Sequence, residues 1–213
     1  MEGRFDLLKK NGLIGDERDV PYNPAFLKSG YSKVMIGRYE SVLKLCTNKV
    51  VLDAGCGLGW GADIIRKKAA MVIGIDCDPE TIKFCGENYL YDNVLFQVMD
   101  LTNITYPEGI FDVALIMEIL EHLTMEDGYK CISELVRGLG PTGVIVGTTY
   151  IPPTDRERQL HIQNSDNKDH LHIYTKHEME KLLSCFFYQY EIIGVTNFTA
   201  AFPKLMRERT IKG

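Results

Sequence analysis

The sequence is short of the features that mark several large protein classes. No apolar run approaches the roughly 20 residues needed to span a bilayer, and the opening MEGRFDLLKK carries no apolar core of the kind a secretory signal has. The 6 cysteines, Cys46, Cys56, Cys77, Cys85, Cys131 and Cys185, are dispersed. They form no C-x-x-C pair and no spacing that suggests a zinc ligand set or a disulfide framework. Free thiols in a reducing compartment are therefore expected, in a soluble cytoplasmic protein without a membrane span. Charge of either sign is not in large excess: 24 basic against 29 acidic residues leave a net −5. That balance gives no global attraction to a polyanion, so nucleic acid is not the expected partner. Internal repeats and low-complexity tracts are absent too.

What is present is an alternation of short apolar runs with amphipathic stretches, the pattern of a parallel sheet covered by helices. The runs are Val50 to Asp53, Met71 to Asp76, Val94 to Asp100, Phe111 to Met117, Gly143 to Tyr150 and Tyr188 to Thr196. Apolar at successive positions, they read as strands buried on both faces. Asp78-Pro79 opens a helix toward Tyr89 with an N-cap acid and a proline in the first turn. Thr124 with Asp127, and Thr175 with Glu178, have capping-box spacing ahead of apolar residues at helical intervals. Val34 to Cys46 reads as a helix leading into the first strand. Residues 151–172 form a connection too long for an ordinary loop and read as a functional lid or a disordered segment.

The segment Val51-Leu52-Asp53-Ala54-Gly55-Cys56-Gly57-Leu58-Gly59 places a glycine turn between a strand and a helix. Such a turn lets a ligand approach the backbone at the carboxyl edge of a sheet. Gly57, Gly59 and Ala62 fit one form of the dinucleotide fingerprint, with Asp76 about 20 residues on, so a nicotinamide dehydrogenase is one reading. Asp53 argues against it. A carboxylate just before the glycines would oppose a pyrophosphate at the helix N-terminus, whereas it suits a ligand with a cationic amino group.

VLDAGCGLGWGA resembles motif I of the class I S-adenosylmethionine-dependent methyltransferases, and VIGIDCDPETI resembles their second-strand motif. FDVALIMEILEHL and LVRGLGPTGVIVGTT are similar to the fourth- and fifth-strand segments, so the resemblance runs over residues 34–195. It implies a Rossmann-like, doubly wound, mostly parallel α/β sheet of seven strands, the last one short, with helices on both faces. The chain is expected to be one domain: a helical cap over 1–48, a core over 49–197 carrying the lid-like loop, and a tail over 198–213, where Pro203 would confine any strand to an edge. S-adenosyl-L-methionine is the implied cofactor. Asp53, Gly55 and Gly57 would contact its methionine portion, with Cys56 and Gly59 completing the turn. Asp76 would bond the ribose, with Cys77 beside it; Asp100 and Leu101 would meet the adenine; Met117 would make a backbone contact; and Arg38 would reach the carboxylate.

Transfer to a hydroxyl needs a base or a metal at the acceptor. Glu118, Glu121 and His122 follow the fourth strand and would share one helical face. In one reading His122, with Glu121, acts as catalytic base without a metal. In another, Glu118, Glu121, His122 and His170 hold a divalent ion, an arrangement that resembles the metal site of small-RNA 2′-O-methyltransferases. His161 and His177 read as surface residues. The nearest look-alikes are bacterial glycan and small-molecule methyltransferases, including ubiquinone-pathway enzymes, which makes a sugar or other small hydroxylated or amino metabolite the leading acceptor. A metal-dependent RNA 2′-O-methyltransferase and a cofactor-binding pseudoenzyme subunit are the competing readings.

Overall fold

Consecutive β-branched residues build the strands of a sheet covered on both sides, because a side chain pointing to either face then finds apolar neighbours. The computed structural model describes residues 30–164, 169–193 and 205–206. These fall into two compact units, one ending at Asp100 and the other running from Leu101 to Ile193 together with Leu205–Met206.

The first unit contains α1 (Gly30–Val42), β1 (Val50–Ala54), α2 (Trp60–Ile65), β2 (Met71–Asp76), α3 (Pro79–Asn88) and β3 (Val94–Val98). Its strands are parallel in the order β3-β2-β1, with Asp53 opposite Gly74 and Asp76 opposite Val98. The Asp78 side chain accepts from the Glu80 amide at 3.1 Å and Pro79 occupies the first turn, so α3 starts where its sequence says it should. One face of α3 brings Phe84, Cys85 and Tyr89 onto Leu58, Trp60 and Phe96. Each large apolar side chain buried there contributes about 1.5–3 kcal/mol. Two expectations need correction. The helix read over Val34 to Cys46 is α1, which lies earlier, because the chain turns after Val42 and passes through a left-handed Asn48. The third strand is not buried on both faces: Leu95 and Val98 are 45% and 50% exposed, since β3 has a partner on one side only within this unit.

The second unit contains β4 (Phe111–Met117), a 3-10 turn (Leu120–His122), α4 (Met125–Gly138), β5 (Leu139–Thr148), α5 (Asp155–Asn164), α6 (Lys176–Phe186) and β6 (Leu205–Met206). β4 and β5 are parallel, pairing Met117 with Thr148, and β6 runs antiparallel beside Val144 and Ile145. Thr175 and Glu178 form a reciprocal capping box on α6. On α4 the Thr124 hydroxyl accepts from the Asp127 amide at 3.1 Å, while the shorter Asp127 carboxylate takes the hydroxyl proton instead of reaching back to the backbone.

The seven-stranded sheet expected from the sequence is overturned: the described residues hold five strands, β1 to β5, parallel within each unit, and beyond them only the two-residue β6. The strand read from Tyr188 onward is not formed over its described part. Buried Phe187 closes α6, and the Tyr190 hydroxyl donates to the Glu180 carbonyl at 3.4 Å, which ties this segment to its own helix rather than to a ladder. Residues 194–196 of that expected strand, residues 1–29 of the expected cap and most of the 198–213 tail lie outside the described residues. Within the supposed lid, residues 155–164 are α5, started by Thr154, whose hydroxyl accepts from the Glu157 amide at 3.2 Å. Among the described residues no helix is long and apolar enough to cross a membrane.

Candidate functional site

In the first unit the turn after β1 is built from left-handed glycines, Gly55 at φ 74°, Gly57 at φ 50° and Gly59 at φ 77°. The Gly55 and Cys56 amides both donate to the Ile75 carbonyl, at 2.8 and 2.9 Å, anchoring the turn on β2. The Gly57 peptide is fixed from both sides. Its N–H donates to Asp76 Oδ2 at 3.0 Å, and its carbonyl accepts from the Cys85 thiol at 3.2 Å. Asp76 Oδ1 accepts the Asp78 amide at 3.0 Å, so one carboxylate joins the glycine turn to the start of α3. A Cβ at Gly59 would lie 2.9 Å from both Cys85 Sγ and Phe96 Cζ, whereas one at Gly57 would meet nothing within 4 Å. Gly59 is therefore needed for packing, and Gly57 faces open space, as the wall of a ligand cradle must.

Asp53 ends this strand wholly buried, at 0% exposure. Its Oδ1 accepts from the Tyr39 hydroxyl at 3.2 Å, and its Oδ2 has no hydrogen-bond partner among the described residues. Burial pushes the Asp53 carboxyl up to about 7, opposed by the Tyr39 hydrogen bond and assisted by the negative charge of Asp76. A buried carboxylate oxygen without a partner costs several kcal/mol of lost hydration, and a cation with N–H donors is the group that best restores it. Tyr39 reaches this position from α1 because Gly61 leaves it room: a Cβ there would come within 2.2 Å of Tyr39 Cζ. The ring is held edge-on against Trp60 at 5.0 Å.

The remaining expected cofactor residues are divided between the two units. Cys56 is buried, and a hydrogen bond with Cys85 is the main cause that raises its thiol well above the ordinary range. Cys77 is exposed just after β2, its thiol raised by partial burial and by Asp76. Asp100 is exposed past β3, beside Met99, whose amide donates to the Asp76 carbonyl at 2.9 Å. Arg38 on α1 places a guanidinium nitrogen 2.8 Å from Met35 Sδ. In the second unit Leu101 is buried, and buried Met117 ends β4 with its sulfur 3.8 Å from the Thr148 hydroxyl.

The second unit also carries the acceptor candidates. Glu118 is left-handed at φ 55°, a conformation non-glycine residues rarely hold, and its amide donates to the Thr148 carbonyl at 2.9 Å. The helix expected through 118–122 is thus replaced by a kink and a 3-10 turn. Glu121 is 2% exposed and accepts from the Thr149 hydroxyl at 2.7 Å. His122 is half-buried, with Nδ1 3.1 Å from the Asp169 carbonyl oxygen and its ring edge-on to His170 at 5.0 Å. The metal reading fails on this geometry: among the described residues no three His, Cys, Asp or Glu side chains gather as a metal site, and Glu118, Glu121, His122 and His170 are no exception. The kink at Glu118 takes it off the common face that the ligand set required.

Sequence reasoning did not assign roles to Tyr39, Gly61, Cys85 or Thr149. Gly61 belongs to the same glycine-rich segment and could have been read as a close-packing position. His161, expected at the surface, is half-buried, with Nε2 3.3 Å from His170 Nδ1 and its ring 4.7 Å from Tyr150. His177 is exposed, as expected.

Residues 52–147 match the model of a methyltransferase domain family. A protein of Mycolicibacterium smegmatis named "Probable S-adenosylmethionine-dependent methyltransferase" is 34% identical over 111 residues, 52% of this chain and 42% of that protein. The phosphoethanolamine N-methyltransferase of Plasmodium falciparum is 31% identical over 112 residues, again 52% of this chain and 42% of the other. The chain thus spans about two fifths of the length of these curated relatives. In fold, the chain resembles magnesium protoporphyrin IX methyltransferase from Synechocystis, solved with bound S-adenosylhomocysteine. The TM-score is 0.64 at 19% identity, over 96% of this chain and 93% of that one. The likeness to that solved structure shows a Rossmann-like, mostly parallel fold, within which residues 52–147 match the methyltransferase domain family.

Proposed function

We propose that this chain, which carries a methyltransferase domain over residues 52–147, is an S-adenosylmethionine-dependent methyltransferase acting on a hydroxyl or amine of a sugar or other small metabolite. The observation that carries the reading is Asp53 Oδ2, buried next to the last residue of β1 and without a hydrogen-bond partner among the described residues. An α-ammonium is a chemical complement to it, and a dinucleotide pyrophosphate is not. The open side of Gly57 and the carboxylate of Asp76 fit the rest of the same ligand, each Asp76 oxygen retaining a lone pair for a ribose hydroxyl. Arg38, Gly55, Cys56, Gly59, Cys77, Asp100, Leu101 and Met117 are proposed to complete the donor site. Several relatives are named for small acceptors, among them phosphoethanolamine, and this supports a small metabolite over a polymer.

Bound S-adenosylmethionine supplies the transferable methyl on its sulfonium. Asp53, supported by Tyr39, holds the amino end, and Asp76 holds the turn against β2. His122 is proposed as the base that takes the acceptor proton, with Glu121 fixing the turn that carries it. No step is assigned to a metal. Two measurements test the reading: calorimetric titration of the purified chain with S-adenosylhomocysteine, then transfer of labelled methyl to a panel of sugars, amino sugars, phenols and amino alcohols. Binding with transfer to one class supports it, and failure of the folded chain to bind overturns it.

A further inference from the structure

The 3-10 turn at Leu120–His122 is fastened to residues 169–172 by main-chain bonds to Glu121 and by a side-chain bond from His122. The Leu171 and His172 amides donate to the Glu121 carbonyl at 2.8 and 3.2 Å. The Asp169 carbonyl oxygen, in return, lies 3.1 Å from His122 Nδ1. The strap is held at its far end as well, since Arg158 Nε on α5 donates to the Ile173 carbonyl at 2.7 Å. Glu121 is pinned a second time through its carboxylate by Thr149 at 2.7 Å, so the backbone preceding His122 has little freedom.

A carbonyl oxygen can only accept a hydrogen bond. The partner nitrogen must therefore be the donor, and the proton of the neutral imidazole must sit on Nδ1. We infer that the strap 169–172 is a positioning element that fixes His122 in the Nδ1–H tautomer and so presents Nε2, with its in-plane lone pair, as the basic nitrogen. The inference deepens the proposed function and rests on its assignment of His122 as base. It gives residues 169–172 a specific task, with a main-chain carbonyl orienting the imidazole as a carboxylate does in other base-orienter pairs. Nε2 takes the acceptor proton as the acceptor O–H bond breaks. The oxygen forms its bond to the methyl carbon while the carbon–sulfur bond breaks, and the sulfur leaves with that pair as a neutral thioether. The imidazolium, now N–H at both nitrogens, keeps its bond to Asp169 and returns the Nε2 proton to solvent.

The tautomer is readable directly in the intact chain labelled with 15N-histidine, by long-range proton–nitrogen correlation at a pH where the ring is neutral. The resonances are assigned by their loss in His122→Gln. The expected pattern is a protonated Nδ1 and a pyridine-like Nε2. A protonated Nε2 with a pyridine-like Nδ1, the tautomer imidazole side chains favour in water, would overturn the inference. Arg158→Gln, which loosens the strap away from His122, is expected to shift the ring toward that solution tautomer and to lower kcat about 10-fold or more, with KM for the methyl donor unchanged. A fall in kcat with the Nδ1–H pattern intact would show that Arg158 acts only structurally and contradict its place in the strap. Binding of S-adenosylhomocysteine, measured in parallel, separates the two levels: loss of binding strikes the proposed function, whereas a wrong tautomer with binding intact strikes the strap alone.

Discussion

The Tyr39 hydroxyl donates to one oxygen of Asp53 at 3.2 Å, and the other oxygen of the same buried carboxylate has no partner among the described residues. One half of the group is thus satisfied by the fold and the other half is left for a ligand. Tyr39→Phe removes a hydrogen bond to a charged acceptor, worth about 1.5–3 kcal/mol. S-adenosylhomocysteine should therefore bind roughly 10-fold to 100-fold more weakly by calorimetry. An unchanged Kd would mean that Tyr39 does not support the ionised carboxylate.

The pH behaviour of Asp53 follows from its position. Its carboxyl is raised from 3.8 to about 7 by burial, so between those values the folded state holds a proton that the unfolded state has released. Stability from this group is present in full below about pH 4 and is lost as pH rises to about 7, with no further change above. Ligand binding has the opposite sign, because an ammonium needs the ionised form. The affinity for S-adenosylhomocysteine should rise from pH 6 to 7.5, and below pH 7 binding should release a proton, seen as a buffer-dependent enthalpy. Asp53→Asn should abolish both trends and leave the folded state at least as stable at pH 8 as the native chain, measured by urea denaturation.

Gly57 and Gly59 should separate binding from folding. Gly59→Ala puts a methyl 2.9 Å from Cys85 Sγ and Phe96 Cζ at φ 77°, so a loss of about 1–3 kcal/mol in stability is expected from overpacking, with added backbone strain. Gly57→Ala meets no neighbour and should cost only about 1–2 kcal/mol of left-handed strain, while its methyl occupies the open side of the turn and weakens donor binding. Denaturation midpoints and Kd for the two variants test this directly. Equal effects of the two on both measurements would contradict the assignment of Gly57 to the ligand face.

Replacing His122 with Asn removes the proposed base while keeping a polar side chain. Single-turnover methyl transfer should fall about 100-fold to 10,000-fold, with binding of S-adenosylhomocysteine unchanged. A rate within a factor of two of the native chain would assign proton removal to another group.

The glycine turn and the carboxylates beside it were legible in the sequence because their demands are local. Gly55, Gly57 and Gly59 must be glycines to be left-handed, and Asp53 and Asp76 sit at strand ends set by the apolar runs before them. The helix starts at Asp78 and Thr175 were legible for the same reason. What the sequence concealed depends on contacts distant along the chain. Tyr39 reaches Asp53 from α1, Cys85 reaches Gly57 from α3, and Asp169 meets His122 across 47 positions. The expected metal set failed for a local reason that residue types do not announce: a glutamate, Glu118, takes a left-handed conformation where helical spacing had been assumed. The expected last strand is not formed over residues 188–193, where the Tyr190 hydroxyl bonds the Glu180 carbonyl, a contact that the alternation of apolar residues does not announce.

The central claim is that Asp53 makes this turn a site for a methyl donor carrying an ammonium group, and one titration addresses it. S-adenosylhomocysteine is titrated at pH 7.5 into the native chain and into Asp53→Asn, with NAD as the control ligand. The account predicts saturable binding by the native chain, at least 100-fold weaker binding by the variant, and none of NAD by either. Equal affinity of the native chain and the folded variant for S-adenosylhomocysteine, or preference of the native chain for NAD, would contradict it.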